Sequence, residues 1–282
     1  MCRDQGVEAV EWHQRGEVHA RRGGARVTVE VQDILLELSP TCLWYSKLCF
    51  QQLSARQLDV TVLPRPKDAH GPDGNADDDL LFVFPVALEA VNLRVDALRV
   101  GWKGGEWRQD SIEASARISD STIRVNRALV QGASLSLRGG VDPLEQFRLP
   151  LIRLPFELVV DELVLEAGAW DVDGTVGALD QLRLSGDWRH TAWRLDSLDI
   201  RAAALGRWSL RGEIDFAASW PLTLAAEGEL PDIAGWPDLL ERKLYFTADG
   251  DLHTLDWQGQ LGGNVSVLAS GSLGLLAPRP SF

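Results

Sequence analysis

Five histidines, His13, His19, His70, His190 and His253, are the side chains best suited to acid–base or metal chemistry near neutral pH, and they are dispersed along the chain. None stands beside cysteines or a second histidine at the spacing of a metal site. The sequence holds no GxSxG elbow, Walker loop, HExxH or GxGxxG, and so offers no activated nucleophile, phosphate cradle or dinucleotide turn. Carboxylates are plentiful, but Glu157, Asp180 and Asp199 fall on the polar positions of alternating runs, where water solvates them. The acidic run Asp77, Asp78, Asp79, with Asp73 nearby, lacks the ligand spacing and closing Glu of a calcium loop. No catalytic residue, metal ligand or cofactor is nominated, and the expectation is a protein that is not an enzyme.

The three cysteines, Cys2, Cys42 and Cys49, include no CxxC pair and leave at least one thiol unpaired. Cys42 and Cys49 either bridge in an oxidising compartment or pack as two small side chains. A net charge of −13 argues against nucleic acid and against electrostatic attachment to anionic headgroups. The opening "MCRDQGVEAVEWHQRGEVHARRGG" has no apolar signal segment, and no stretch approaches the roughly 20 apolar residues of a membrane span. Taken literally this is a cytoplasmic pattern. A single methionine and the abrupt end "GLLAPRPSF" are equally compatible with a fragment.

Alternation of apolar and polar residues dominates, and period two means strands. Val27, Val29 and Val31 hold one parity, and Ile34, Leu36 and Leu38 the other. Leu53 and Ala55 give way to Leu58, Val60 and Val62, and Ile112, Ala114, Ala116 and Ile118 follow. The best helix candidate is "PDLLERKL", near 237–244, with Pro237 at a first helical position. Residues 64–80, rich in Pro, Gly and Asp, read as a polar acidic loop.

A shift of 70 residues superposes Pro85 on Pro155, Val86 on Phe156, Leu88 on Leu158, Ala90 on Val160, and Leu93 and Val95 on Leu163 and Leu165. It continues with Ile112 on Leu182, Ala114 on Leu184, Val125 on Leu195 and Val130 on Ile200. After an insertion, "SLRG" at 136–139 meets "SLRG" at 209–212. Both copies change parity at the same places: Ala90 to Leu93 and Val160 to Leu163, then Val125 to Ala128 and Leu195 to Leu198. A bulge or a tight corner produces that signature while keeping one face apolar. The expected organisation is an N-terminal β module at 1–63, the loop at 64–80, β repeats at 81–150 and 151–220, and a partial third repeat at 221–282.

The runs "PFELVVDELVLE", "ALDQLRLSGDWRHTAWRLDSLDIRA" and "WSLRGEIDFAASWPLTLAAEGEL" resemble the TamB family of AsmA-like envelope proteins, and "LSARQLDVTVLP" is similar to its opening modules. The resemblance spans most of residues 25–275. It implies an all-β fold: a long, curved, repetitive sheet, a taco-like trough or β-solenoid, with one apolar face and at most one or two short helices. It also implies a Gram-negative periplasm, an inner-membrane anchor absent from this chain, and an outer-membrane barrel partner of the TamA type met through a missing C-terminal part.

The function implied is transfer of phospholipid between inner and outer membranes along the apolar face. Its lining candidates are Val86, Leu88, Leu93, Val95, Phe156, Leu158, Val160, Leu163, Leu165, Leu182, Leu184, Leu195 and Ile200. The alternatives are a scaffold for assembly or secretion of outer-membrane barrel proteins and autotransporters, and a structural β-solenoid whose interior is filled by its own side chains.

Overall fold

A computed structural model describes residues 9–12, 16–22, 25–45, 47–63, 83–138, 154–217, 219–231, 240–263 and 266–274. Among them lie eighteen strands, a 3-10 turn at Pro40–Tyr45 and no α-helix, so the fold is all-β as the alternation requires. The chain divides into two compact units. One comprises Met1–Gly139 with Leu165–Gly177, and the other Gly140–Val164 with Ala178–Phe282.

The first unit holds β1 (Ala9–Trp12), β2 (Gly16–Arg22), β3 (Ala25–Ser39), β4 (Lys47–Leu63), β5 (Ala87–Val95), β6 (Leu98–Trp102), β7 (Gly105–Gln109), β8 (Ser111–Ser119), β9 (Thr122–Gln131) and β10 (Ser134–Leu137). It also takes the second half of β11 (Glu157–Val172). Pairing is mixed. β3 and β4 are antiparallel, while β5 and β6 run parallel to β4 with Lys47 opposite Ala87 and Leu58 opposite Leu98. β5 pairs with β8, β6 with β7, β7 with β10 and β8 with β9, all antiparallel. β10 lies parallel to β11.

Two devices change parity here. Bulges fall between Ala90 and Leu93 and opposite Ser115/Ala116, so an extra residue is spent and the apolar face is restored beyond it. These are the positions where the sequence changes parity. The second device is a crease. Asp33 takes φ 51°, yet the register of β3 on β4 continues unbroken from Gln32–Gln57 to Ile34–Ala55, so both strands turn over together. The irregularity passes to Asp96, whose N–H donates to the Ala55 carbonyl at 3.0 Å, and on to Asp110, which donates to Gln131 at 3.0 Å. It ends at Gly132, φ 64°, which donates to Glu166 at 3.1 Å beside Ala167, φ 56°. A left-handed residue costs least for Gly, Asn or Asp, and two of these three positions are Asp or Gly.

The second unit holds the first half of β11, β12 (Thr175–Arg189) from Ala178 onward, β13 (Ala192–Ala202), β14 (Gly206–Asp215), β15 (Leu222–Glu229), β16 (Leu240–Gly250), β17 (Leu255–Gly263) and β18 (Val267–Leu273). From β12 to β18 each strand pairs antiparallel with the next. The parity change from Leu195 to Leu198 is again a bulge. The segments that the 70-residue shift superposes share a local bond. Phe84 N–H donates to the Asp120 carbonyl at 2.6 Å, and 70 residues on Leu154 N–H donates to the His190 carbonyl at 3.1 Å. Asp120 and His190 both turn their hairpins with left-handed backbones, φ 50° and 55°.

The helix expected near 237–244 does not form where it can be followed, since Leu240–Gly250 is strand β16. Leu244, Phe246 and Ala248 alternate, and pairing on both sides by β15 and β17 outweighs the helical spacing of three leucines. Residues 232–239, the acidic loop at 64–80 and Cys2 lie outside the described residues. Cys42, in the 3-10 turn between β3 and β4, is disulfide-bonded to Cys49, with Cα atoms 5.8 Å apart.

Candidate functional site: the apolar faces

In the second unit the registers align apolar residues in rows that cross the sheet. One runs Leu182, Ile200, Trp208, Gly228, Leu244, Leu261, and the next Leu184, Leu198, Leu210, Ala226, Phe246, Gly259. A third passes Gly186, Leu195, Gly212, Leu224, Ala248 and Trp257, and a fourth Trp188, Trp193, Ile214, Leu222, Gly250 and Leu255. The opposite parity carries Arg183, Asp199, Arg207, Arg211, Glu213, Glu227 and Asp249, all exposed. This is the one-sided amphipathicity that alternation dictates.

Tryptophan and glycine are matched across strands on that face. Trp208 lies opposite Gly228, where a Cβ would run into the indole, and Trp257 lies opposite Gly271. An indole laid on a bare glycine covers backbone that has no side chain of its own. At one end of the face Trp188 stacks on Trp193 (centroids 6.1 Å) and on Phe216 (4.8 Å), and Phe216 meets Trp220 edge-on at 4.7 Å. The indole N–H groups of Trp188 and Trp208 donate to the carbonyls of His190 and Leu205 at 3.0 and 2.7 Å, so the rings carry no unsatisfied donor into the face.

The first unit repeats the pattern. Leu36, Leu53, Leu93, Ala114 and Ala128 form one row, and Ile34, Ala55, Val95, Ile112 and Val130 the next. Leu48, Leu88, Ile118 and Ile123 form a third. Trp102 covers Gly105 as Trp208 covers Gly228.

Of the expected lining residues, Leu88 and Leu93 are half-buried and Val95 and Leu165 buried in the first unit, while Val86 is 38 % exposed just before β5. In the second unit Leu182 faces Ile200, Leu184 lies in the adjoining row, and Leu195 crosses to Gly186, so these four come together. Phe156, Leu158, Val160 and Leu163 are half-buried at the start of β11. Trp208, Leu210, Leu224, Phe246 and Trp257 belong to the same face and were missed. Alternation in "RWSLRGEID", "LTLAAEGE", "KLYFTADG" and "LDWQGQLGG" carries their signal, but it lies beyond the 70-residue offset.

Burial on these faces is incomplete. The buried apolar side chains are Val95, Ala128, Val130, Ala133 and Leu165 in the first unit, and Val164, Ala202, Phe216 and Ala248 in the second. Among the described residues no large side chain is fully buried. A packed core of this size encloses many leucines and aromatics completely, whereas here the large row residues are mostly half-buried.

Among the described residues the charge clusters lie on the polar faces and in turns. Arg108 and Arg99 both bond Glu106, and the Arg108 hydrogen bond leads in holding that carboxyl below its ordinary range. Asp251 is lowered chiefly by a hydrogen bond from Ser219 and then by the backbone N–H of Thr254, with His253 N–H adding at 2.8 Å. Buried Asp187 is paired with Arg189 at 2.9 Å and with cross-strand Arg194. No group of metal-binding side chains occurs among the described residues.

The fold defines an all-β protein with an amphipathic sheet face in each unit. Residues 21–282 match the family described as TamB, N-terminal domain, and the chain belongs to that family. No curated protein and no solved structure matches it. Membership makes it an envelope-associated component of a transport and assembly machinery that includes an outer-membrane partner. Among the described residues no helix is long and apolar enough to cross a membrane.

Proposed function

We propose that the apolar faces carry phospholipid acyl chains, with headgroups left in water, as part of lipid transfer between inner and outer membranes. The observation that supports this is the half-buried state of the cross-strand rows, from Leu182–Ile200–Trp208 to Leu184–Leu198–Leu210. Such rows can still gain from a hydrocarbon partner, at about 0.8 kcal/mol for each methylene taken from water. The lining proposed in the second unit is Phe156, Leu158, Val160, Leu163, Leu182, Leu184, Leu195 and Ile200, and in the first Val86, Leu88, Leu93, Val95 and Leu165. The setting is the periplasm, with attachment to the inner membrane and a barrel of the TamA type as partner. The Cys42–Cys49 disulfide supports an oxidising compartment.

Mass spectrometry of lipids extracted from the purified chain tests the proposal. Phospholipid should co-purify. Leu195→Glu or Leu158→Glu, each placing a charge among half-buried apolar neighbours, should lower the amount about tenfold, the factor that 1.4 kcal/mol represents. A folded chain that carries no phospholipid, and takes none from vesicles, would overturn it.

A further inference from the structure

The polar face of the second unit carries a groove that the lipid proposal leaves unused. It crosses β13 to β18 and has a volume of about 800 Å³, in the range of roughly 300–1,000 Å³ typical of small-ligand sites. A second hollow of about 680 Å³ adjoins it, and the two share Ser209 and Glu227 as lining residues. The result is an elongated trench, suited to a linear ligand.

The wall chemistry narrows the ligand class. Arg211, Glu227, Tyr245 and Gln258 line the trench, and among the described residues none of these four side chains makes a hydrogen bond or an ion pair. All four are exposed, so their donors and acceptors are open to a ligand. Along the whole trench the cations Arg183, Arg201, Arg207, Arg211 and Lys243 nearly balance the carboxylates Asp196, Asp199, Glu227 and Glu229, which disfavours a strongly charged ligand. Tyr245 is 44 % exposed and lies on one cross-strand row with Gln260 and then Leu268, which is 75 % exposed. A flat ring and an aliphatic side chain thus flank a planar amide. The ligand complementary to that pattern has apolar C–H faces and hydroxyl edges, which is the chemistry of a pyranose.

We propose that this trench binds a short, neutral oligosaccharide, with Tyr245 stacking on a sugar face and Arg211, Glu227 and Gln258 taking its hydroxyls. The site lies on the side of the sheet opposite Leu195 and Trp257, so it operates independently of lipid on the apolar face.

Calorimetric titration of the full chain with maltotetraose, cellotetraose and chitotetraose is the test. At least one should bind saturably. Tyr245→Ala should weaken it about three- to tenfold, the value of one aromatic contact. Leu195→Glu should leave sugar binding unchanged while lowering lipid content. In the unsubstituted chain, the same sugar should shift the side-chain amide signals of Gln258 and Gln260, which locates the site without any variant. Absence of saturable binding by all three sugars at millimolar concentration would overturn the proposal. So would binding that leaves those amide signals unmoved.

Discussion

Gly228 shows how much a single position can decide in a sheet with so little enclosed core. Its Cβ would occupy the space of the Trp208 indole, which lies directly across the strand pair. Gly228→Val should therefore push the indole off the sheet and destabilise the second unit by about 1–3 kcal/mol, measured by urea denaturation. Gly259, where a Cβ comes no nearer than 3.7 Å to Trp257, should accept alanine with little loss. A pH prediction belongs to Asp251. Its folded-state pKa is depressed, first by Ser219 and then by the N–H groups of Thr254 and His253. The stabilising contribution is present above the ordinary carboxylate range and is lost as pH falls through the folded value. Amide exchange at His253 and Thr254, normalised for the intrinsic rate, should accelerate in that acid window. Asp251→Asn should abolish this pH dependence.

At the scale of elements the bulges are structural necessities rather than defects. Deleting Asp196 from the irregularity between Leu195 and Leu198 removes the extra residue that separates two parities. Trp193 and Leu195 would then point to the polar face, or β13 would slip by one on both neighbours. The deletion should abolish cooperative unfolding, whereas Asp196→Ala, which keeps the residue count, should not. The disulfide acts at the same scale. It closes a loop of eight residues at the turn from β3 to β4, and chain-entropy arguments give about 2.5 kcal/mol for a loop of that length. Replacing Cys42 and Cys49 by serine should lower stability by up to that amount, with the loss concentrated in β3–β4 amide exchange. The bulges were legible in the sequence because a shifted parity within one strand leaves a trace at Ala90–Leu93 and again at Leu195–Leu198. The crease was not. Flips at Asp33 and Arg56 are visible one strand at a time, but their alignment with Asp96, Asp110 and Gly132 depends on long-range register. Local leucine spacing likewise suggested a helix where two neighbouring strands impose β16.

At the scale of the whole molecule, a formal charge of −13 separates two ways in which a lipid could be held. Attachment by headgroup charge needs cationic surface, and it weakens as the screening length falls from about 10 Å at 0.1 M salt to about 3 Å at 1 M. Attachment by acyl chains draws on apolar area, which salt does not screen and excluded salts strengthen. The apolar rows lie on one face in each unit and the exposed arginines on the other, so a chain held on the rows leaves the ion pairs of Glu106 and Asp187 untouched. Phospholipid bound to the purified protein should therefore be retained through a high-salt wash and removed by mild detergent. Adsorption to anionic vesicles should be weak at low salt, since the net charge repels them. Lipid released by salt alone would place the binding on charge and would sink the assignment to the apolar faces. Retention in salt together with loss in Leu195→Glu would tie it to the rows that cross β12 to β17.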